Sequence, residues 1–351
     1  MLSFSTPPAH ICILRLSAIG DICHTLPVIR NIQSQWPETK ITWIIGQAEY
    51  HLLKGTPGIH FIIFDKKNGF KEYLHVYNQL KNIRFDLLLH MQMSLRASLI
   101  SLLVNTKIKV GFDRQRAKDG QWIFTNHKIA YSPQQHVMDS LFAFSDYIGI
   151  KRAELTWDIP VSNEEHASAN ALLAGHSRYV IISPCSSKDY RNWNVKGYAK
   201  VADYIKEKYH CDVILTGGNS AVENLYAEQI LKSCVHPPLN LIGQTTLKEL
   251  VSIIDGAIFM LSPDSGPAHM ATATGTPVIG LYATTNPDRA RPYLSQDWVV
   301  NRYPDAVAKK YHKSVTDIAW GARVRDHWAM DLITIEDVTA MIDQFMQNPS
   351  Q

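Results

Sequence analysis

Short apolar runs alternate with amphipathic stretches along most of the chain. In the first half, the apolar runs predict five strands, at residues 11–15, 41–45, 60–64, 85–89 and 108–111. A helical periodicity follows Asp21, and two more stretches, 72–83 and 95–104, have the same period. Strands that alternate with helices are typical of βαβ units, so this half is predicted to form a parallel sheet.

The alternation breaks near residues 155–160 and then restarts. The polar stretch 161–165 is predicted to be a linker. Strands are predicted at 179–182, 212–215, 257–260 and 278–281, and helices at 196–208, 221–231, 247–254, 266–274 and 335–345. The predicted fold class is therefore α/β, with two Rossmann-like doubly wound domains at 1–160 and 161–330 and a C-terminal helix at 331–351. Ligands are expected in a cleft between the two sheets, at the carboxyl ends of the strands.

The composition is that of a globular protein, but its charge is unevenly placed. The 351 residues are 46% hydrophobic and 19% charged, with a net charge of +3. Residues 1–160 hold 18 Lys and Arg against 12 Asp and Glu, whereas the remainder holds 17 against 20. This distribution favours an anionic ligand for the first half, although scattered solvated charges would give the same count. The net charge is too small to indicate a nucleic-acid partner.

The spacing of the cysteines and the length of the apolar runs indicate the cellular compartment. The five cysteines include no C-x-x-C pair, so neither a disulfide framework nor a zinc site is expected. The protein is therefore expected in a reducing compartment. The first ten residues lack the basic and apolar pattern of a signal peptide. The longest apolar stretch, 97–104, is far shorter than the roughly 18–20 residues of a spanning helix. The chain is therefore expected to be soluble or peripheral to a membrane.

The loop after the first predicted strand carries a carboxylate. Asp21 ends the segment 17–21 and lies where a helix begins. A carboxylate there could be a general base for an acceptor hydroxyl. The alternative is a plain helix N-cap, a position that aspartate favours. The segment has a single glycine, so it lacks the G-x-G-x-x-G fingerprint that an NAD-dependent oxidoreductase would need.

Two loops of the second half could bind a nucleotide. Ser186, Ser187, Lys188 and Arg191 lie within six residues, and hydroxyls with a guanidinium suit a phosphate or pyrophosphate. A solvated polar loop is the alternative. Trp193 in the same loop is more typical of packing than of stacking on a ligand. Two glycines at 217 and 218 permit a tight turn, and the following Glu223 could bind ribose hydroxyls. The simpler interpretation of Glu223 is that it favours the helix dipole.

The segment 261–270 gives the strongest local signal. An Asp264-Ser-Gly turn precedes a helix, and the free N–H groups of that helix start could bind an anion such as a diphosphate. His269 lies one turn further and could contact the same anion, or could be a buried structural histidine. The chain has no Asp-x-Asp or H-E-x-x-H motif, its histidines lack metal-ligand spacing, and the turn is not G-x-S-x-G. No metal site is predicted.

Three segments together resemble one family. Residues 13–27 and 263–277 resemble the two signatures of glycosyltransferase family 9, the heptosyltransferases, and the loop 183–193 resembles that family's nucleotide-sugar loop. They occur in the family's order and at its separations over nearly the whole chain. The chain departs from the family where it has Ser265-Gly-Pro267 instead of the frequent Thr-Gly-Leu, and Arg191 where lysine is common. Both changes keep the chemistry of the position.

The resemblance implies a GT-B fold and a reaction. It implies inverting, metal-independent transfer of L-glycero-D-manno-heptose from ADP-heptose, a co-substrate, to the Kdo sugar of the lipopolysaccharide inner core, without a cofactor. Asp21 falls at the position of the family's base. Ser186, Ser187 and Arg191 fall where the donor's phosphates and sugar bind, Glu223 near the ribose contact and Thr245 in the loop that touches adenine. The heptose and diphosphate site would comprise Asp264, Ser265, Gly266 and His269.

The acceptor is expected to be Kdo-lipid A. Segments 116–126 and 135–139 resemble a branch that adds the first heptose to phosphorylated Kdo. The candidate acceptor contacts are Ser17, Gly20, His24, Arg96, Arg114, Arg116 and Lys118, although each of these basic residues would also suit plain surface. The resemblance implies a cytoplasmic enzyme, peripheral at the inner face of the inner membrane, whose binding to this anionic glycolipid weakens as salt rises.

Other functions remain open on the sequence alone. A transferase of the same family could act on another acceptor, as heptosyltransferases II and III do, or could use another nucleotide sugar. A non-catalytic carbohydrate- or nucleotide-binding protein would need neither Asp21 nor His269. The presence of both therefore favours an enzyme.

Overall fold

Each half of the chain builds its own six-stranded parallel sheet. The computed structural model describes residue 2 and residues 4–348, and the chain divides into units Met1–Pro160 and Val161–Gln351. The first sheet has the order β3-β2-β1-β4-β5-β6. Its strands are β1 (His10–Leu14), β2 (Lys40–Gly46), β3 (Ile59–Phe64), β4 (Leu87–His90), β5 (Lys109–Gly111) and β6 (His127–Lys128). The helices of this unit are α1 (Ile19–Gln35), α2 (Gln47–Leu53), α3 (Phe70–Leu80), α4 (Leu95–Ser101) and α5 (Val137–Tyr147).

The second sheet has the order β12-β11-β10-β7-β8-β9. Its strands are β7 (Tyr179–Ile182), β8 (Asp212–Leu215), β9 (Leu239–Asn240), β10 (Met260–Pro263), β11 (Val278–Tyr282) and β12 (Val299–Asn301). The helices are α6 (Asn163–Leu172), α7 (Val195–Tyr209), α8 (Ala221–Ser233), α9 (Leu247–Asp255), α10 (Gly266–Thr274), α11 (Pro287–Ala290), α12 (Tyr303–Tyr311) and α13 (Ile335–Gln347). Residues 349–351 of the predicted C-terminal helix lie outside the described residues.

The central strands are apolar because helices cover both faces of each sheet. Ile11 of β1 pairs with Ile41 on one side and Leu87 on the other, and all three are buried. On one face of this sheet, Val76 of α3 and Ile100 of α4 share a single core cluster with strand residues. The helices α3 and α4 therefore both lie on one face of the first sheet.

Some predicted elements differ from the structure. The strand predicted at 257–260 is placed three residues too early, because β10 extends from Met260 to Pro263. The linker predicted at 161–165 is also wrong in part, because Ser162 caps α6: its hydroxyl accepts a hydrogen bond from the Glu165 N–H, and the Glu165 carboxylate accepts one from the Ser162 N–H. Helix α4 ends at Ser101, three residues before the predicted end.

The structure also bears on the role of Trp193 and on the presence of membrane-spanning helices and metal sites. Trp193 is fully buried and its indole N–H donates to the Ile333 carbonyl at 3.0 Å, which confirms the packing interpretation. Within the described part of the chain, no helix has both the length and the apolar character needed to cross a membrane. Residues 2 and 4–348 also contain no group of three or more His, Cys, Asp or Glu side chains placed to hold a metal ion.

Candidate active site

Asp21 lies at the carboxyl end of β1, in the first turn of α1. One carboxylate oxygen, Oδ2, is 2.6 Å from Nη2 of Arg15 and accepts a hydrogen bond from the Ala18 N–H at 3.1 Å. Among the described residues, none donates a hydrogen bond to Oδ1. The N-cap of α1 is Ala18, so Asp21 is not the N-cap, although it accepts a capping hydrogen bond. The side chain is 34% exposed and is therefore accessible to a substrate.

Arg15, to which the sequence analysis gave no role, fixes this carboxylate. Its Nη1 donates to the Met91 carbonyl after β4, and its backbone N–H donates to the Ile44 carbonyl of β2 at 3.2 Å. The guanidinium is therefore held by the residue that follows β4, the backbone of Arg15 is held by β2, and the side chain is only 10% exposed. A charged residue directly after a buried apolar run was the signal that could have revealed it.

A second carboxylate packs close to the Asp21 loop. A Cβ on Gly46 would lie 2.4 Å from both Glu49 Oε2 and the Leu16 carbonyl oxygen, so a side chain at 46 would not fit. Burial raises the pKa of Glu49, and the nearby charge of Asp21 acts in the same direction. Glu49, which was not predicted as a site residue, is thus part of the electrostatic surroundings of Asp21.

The predicted acceptor contacts near Asp21 occupy its own loop and helix. The Ser17 hydroxyl accepts a hydrogen bond from Gln92 Nε2 at 3.3 Å, and Gly20 is buried in α1. His24 is also buried, with its ring edge-on to the His136 ring at a centroid distance of 5.6 Å. Of these three, Ser17 is the one that lies partly exposed beside the carboxylate.

Arg116 stabilises its own loop. Its Nη1 donates to Gln135 Oε1 and its Nη2 to the Ala130 carbonyl, both at 2.7 Å, while Nε pairs with Asp113. All three guanidinium nitrogens are thereby engaged within this unit. Arg114 lies 4.8 Å from the centre of the Trp122 ring, as in a cation–π contact. The other two basic candidates, Arg96 and Lys118, are exposed.

In the second unit, Asp264 forms the centre of a buried charged cluster after β10. Its Oδ2 lies 3.1 Å from Arg191 Nη1, and its Oδ1 lies 3.9 Å from His269 Nε2. Its backbone carbonyl accepts hydrogen bonds from Ser186 Oγ at 2.9 Å and from Arg191 Nη1 at 3.1 Å. Burial acts to raise the pKa of Asp264, but the nearby His269 and the charge of Arg191 outweigh it and the pKa is lowered. Asp264 is therefore ionised at neutral pH.

The start of α10 offers backbone donors next to this cluster. Ser265 is the N-cap, but its hydroxyl is bonded to Ser262 Oγ at 2.8 Å and makes no capping hydrogen bond. Gly266 is the first helical residue, so the backbone comes close to the surface without a side chain. N–H groups at a helix start that lack a side-chain cap can bind an anion.

Glu223 closes the glycine loop after β8. Its Oε1 accepts from the Gly218 N–H at 2.6 Å and its Oε2 from the Ser220 N–H at 3.1 Å. A Cβ on Gly218 would lie 3.0 Å from Oε2, so a larger residue there would have to displace the Glu223 carboxylate slightly. The structure therefore gives Glu223 a capping role in addition to any contact with a ligand. Cys185 is near: burial raises its pKa to about 12, and the charge of Glu223 adds to the shift, so it stays a thiol.

The remaining donor loops meet at the same edge of the second sheet. The Gly243 N–H donates to the Gly217 carbonyl at 3.0 Å, which places half-buried Thr245 beside the glycine loop. Ser187 is exposed next to Ser186. Two further hydroxyls, Ser183 Oγ after β7 and Thr216 Oγ1 after β8, are buried and find no hydrogen-bond partner among the described residues. Neither hydroxyl was among the contacts predicted from the sequence.

The two units thus carry complementary chemistry. The first presents a carboxylate with one oxygen fixed and the other available, which suits removal of a proton from a hydroxyl. The second presents a guanidinium, hydroxyls and the N–H groups of a helix start, which suit the negative charge of a diphosphate leaving group.

The fold defines the class of protein. Two parallel six-stranded sheets with flanking helices form a GT-B-type α/β fold, which confirms the predicted fold class. The sequence model of glycosyltransferase family 9 (heptosyltransferase) matches residues 73–318. The chain belongs to glycosyltransferase family 9, and it is an enzyme of the glycosyltransferase class.

Similar proteins agree with this assignment. The chain is 41% identical over 335 residues to the lipopolysaccharide core heptosyltransferase OpsX of Haemophilus influenzae, covering 95% of this chain and 96% of that one. A family 9 glycosyltransferase structure from Veillonella parvula matches with a TM-score of 0.79 at 18% identity, over 97% of each chain. The structure of E. coli heptosyltransferase WaaC with ADP matches with a TM-score of 0.70 at 17% identity, over 96% of this chain and 98% of that one.

Proposed function

We propose that this enzyme acts in the synthesis of the lipopolysaccharide core and transfers L-glycero-D-manno-heptose from ADP-heptose to Kdo of the lipid A-Kdo acceptor. The relative at 41% identity carries the name of a lipopolysaccharide core heptosyltransferase. The observation that carries the mechanism is the asymmetry of the Asp21 carboxylate, in which Arg15 and the Ala18 N–H engage Oδ2 and leave Oδ1 available. That arrangement is suited to a general base.

The reaction is a single displacement at the anomeric carbon. Oδ1 of Asp21 takes the proton of the acceptor hydroxyl as its oxygen attacks the anomeric carbon from the face opposite the diphosphate. One C–O bond forms, the bond to the diphosphate oxygen breaks, and ADP leaves with the electron pair. One base and no enzyme nucleophile are needed, so the configuration inverts.

The donor contacts are assigned to the second unit. Arg191, Ser186, Ser187 and the N–H groups at Gly266 would bind the diphosphate and stabilise it as it leaves. Asp264, Ser265 and His269 would contact the heptose, Glu223 the ribose and Thr245 the adenine. A solved GT-B relative, heptosyltransferase WaaC, is described with ADP bound, which supports an adenine nucleotide as the donor's leaving group. The enzyme is proposed to need no metal and no cofactor.

The acceptor is proposed to lie at the inner face of the inner membrane, where the enzyme would be peripheral and cytoplasmic. Exposed Arg96, Arg114 and Lys118 are available for its phosphate and carboxylate groups, whereas Arg116 is engaged by its own loop. The alternative within the family is a later heptose acceptor, already carrying one heptose, or another nucleotide sugar.

One assay separates these possibilities. The purified protein is incubated with ADP-heptose and Kdo-lipid A, with and without a phosphate on Kdo, and the product masses are measured. Addition of one heptose to Kdo-lipid A is the expected result. Parallel reactions contain Kdo-lipid A that already carries a heptose, or replace ADP-heptose with another ADP-sugar. Transfer only in one of these parallel reactions would favour the alternative, and no transfer in any reaction would contradict the proposal.

A further inference from the structure

The outer face of α3 is apolar and exposed. Phe70, Leu74 and Tyr77 occur at the i, i+4, i+7 spacing that places side chains on one helix face, and Phe70 is 89% exposed. The opposite face is buried against the sheet through Val76 and Leu80. The exposed stripe is therefore not part of the hydrophobic core.

The neighbouring helix repeats this pattern. Leu95, Leu99 and Leu102 have the same spacing along α4 and the residue that follows it, and Leu102 is 59% exposed. Since α3 and α4 cover the same face of the first sheet, their two stripes belong to one outer layer. We call this layer the α3–α4 face, defined by Phe70, Leu74, Tyr77, Leu95, Leu99 and Leu102. Exposed apolar residues grouped on one face of a domain are typical of an interaction site.

Basic residues outnumber acidic ones around the α3–α4 face. Residues 66–112 hold eight Lys and Arg against two Asp and Glu, which accounts for the whole basic excess of residues 1–160. Both acids are occupied: Glu72 is buried and accepts from the Asp65 N–H and from Asn68, and Asp86 accepts from the His10 N–H. The lysines at 66, 67, 71 and 81 are exposed at the ends and edge of α3. An apolar stripe bordered by lysines is the pattern of helices that bind anionic lipid surfaces.

The face also reaches the edge of the sheet where Asp21 lies. In a parallel sheet each following helix starts near the carboxyl end of a strand. Phe70 and Leu95 therefore lie near the carboxyl ends of β3 and β4, and Asp21 follows β1 at the same edge. Lys66 is close enough to the Asp21 surroundings for its charge to act on Glu49.

We infer that the α3–α4 face docks on an anionic phospholipid bilayer. Leu, Phe and Tyr side chains enter the headgroup region, and the flanking lysines pair with lipid phosphates. A second copy of this chain is a poorer occupant, because a two-fold contact would bring the two lysine-bordered faces together. The inference depends on this surface alone. Under the proposed function, docking would hold the membrane that contains the acceptor against the edge of the sheet that carries Asp21.

Vesicle flotation tests the inference without any sugar substrate. The full-length protein is mixed with vesicles of phosphatidylcholine alone or with phosphatidylglycerol added, at low and high salt. Two variants are compared, Phe70→Ser with Leu74→Ser and Leu95→Ser with Leu99→Ser. The matched control replaces two exposed apolar residues of the second unit, Val235→Ser with Leu294→Ser. Circular dichroism and melting temperature are recorded for every variant to establish that each is folded.

We expect the wild type and the control to bind vesicles that contain phosphatidylglycerol, with binding that weakens as salt rises. Each α3–α4 variant should bind about tenfold more weakly. Equal binding by folded variants, or no binding by the wild type, would overturn the inference. So would a wild-type dimer that the substitutions convert to monomer without any vesicle binding. Turnover of a lipid-free Kdo acceptor is measured separately, so that failure of docking and failure of the proposed transfer reaction give different results.

Discussion

Arg15 Nη2 lies 2.6 Å from Asp21 Oδ2, across the turn that connects β1 to α1. The pair does more than neutralise charge, because Arg15 is itself bonded to the Met91 carbonyl and is nearly buried. The carboxylate is thereby oriented by a fixed partner, and its second oxygen is left for substrate.

Replacing Asp21 by asparagine keeps the shape of the side chain but removes the base. We expect kcat to fall by about 10²- to 10⁴-fold, since that is the usual contribution of a positioned base. ADP affinity, measured by calorimetry, should not change, because Asp21 belongs to the first unit. The control is Asp158→Asn, which alters a carboxylate paired with Arg30 elsewhere in that unit and should leave kcat unchanged. Near-normal turnover by Asp21→Asn would refute the assignment of the base.

Arg15 is predicted to be a positioning residue. Arg15→Gln removes the partner of Oδ2 and should lower kcat by about 10- to 100-fold through loss of orientation, with the KM for ADP-heptose unchanged. Arg15→Lys retains a cation and should recover part of the rate. A purely structural role would instead lower the melting temperature of both variants without this difference in kcat. Steady-state kinetics and thermal unfolding, measured on the same samples, distinguish the two outcomes.

Loss of Arg191 should lower the free energy of unfolding, because it leaves the buried charge of Asp264 without its partner. Arg191→Ala leaves the ionised Asp264 without its guanidinium, which costs about 3–5 kcal/mol for a buried pair. ADP affinity should fall as well, because the same guanidinium is assigned to the diphosphate. Arg191→Lys should keep much of both properties. The control Arg302→Ala breaks a more exposed pair with Asp337 and should cost about 0–1 kcal/mol. Urea unfolding and calorimetry with ADP are the measurements, and equal destabilisation by both alanine variants would contradict the prediction.

His90 should make the protein less stable in mild acid. Burial lowers the pKa of His90 to about 3, and the charges of Lys109 and Arg15 add to the shift, so the folded state keeps the ring neutral. As pH falls below the ordinary value near 6.5, the unfolded chain binds a proton that the folded chain does not. Stability should then fall by about 1.4 kcal/mol per pH unit, until the pH approaches the pKa of the folded state.

His90→Gln removes the titrating ring, so the variant lacks this contribution of proton binding to the pH dependence of stability. The difference in unfolding free energy between wild type and variant should therefore change with that slope between pH 6 and 4, whatever other groups contribute to both proteins. Urea unfolding at several pH values measures it. His51→Gln, which replaces an exposed imidazole, is the matched control. A difference that does not vary with pH would show that His90 is not the group responsible.

The sequence predicts the central part of both sheets well because buried parallel strands are short apolar runs. The predicted bounds of β7, β8 and α10 agree with the structure, and all three elements flank donor loops. The order of the loops and the family followed from residues that are contiguous in the chain. These are the features that local patterning can encode.

Other features depend on contacts between distant residues. Helix α6 is polar and mostly exposed, so it has no apolar periodicity that would predict a helix. Its start is instead fixed by the Ser162 cap. The engagement of Arg116 by Ala130 and Gln135 depends on how its loop folds back. The α3–α4 face escaped prediction because periodicity shows which positions are apolar but not which of them the fold leaves uncovered.

The hydrogen bond from the Trp193 indole to the Ile333 carbonyl has a practical consequence. It fastens the end of the loop 183–193 to the segment that leads into α13, whose Phe345 packs against Phe259 and Trp298 in the core. A chain cut at residue 330 would lose the acceptor of that bond and the support beneath the nucleotide loop, far from any substrate contact. Truncated variants that end at residue 330 would therefore damage donor binding while leaving every proposed catalytic and binding residue in place.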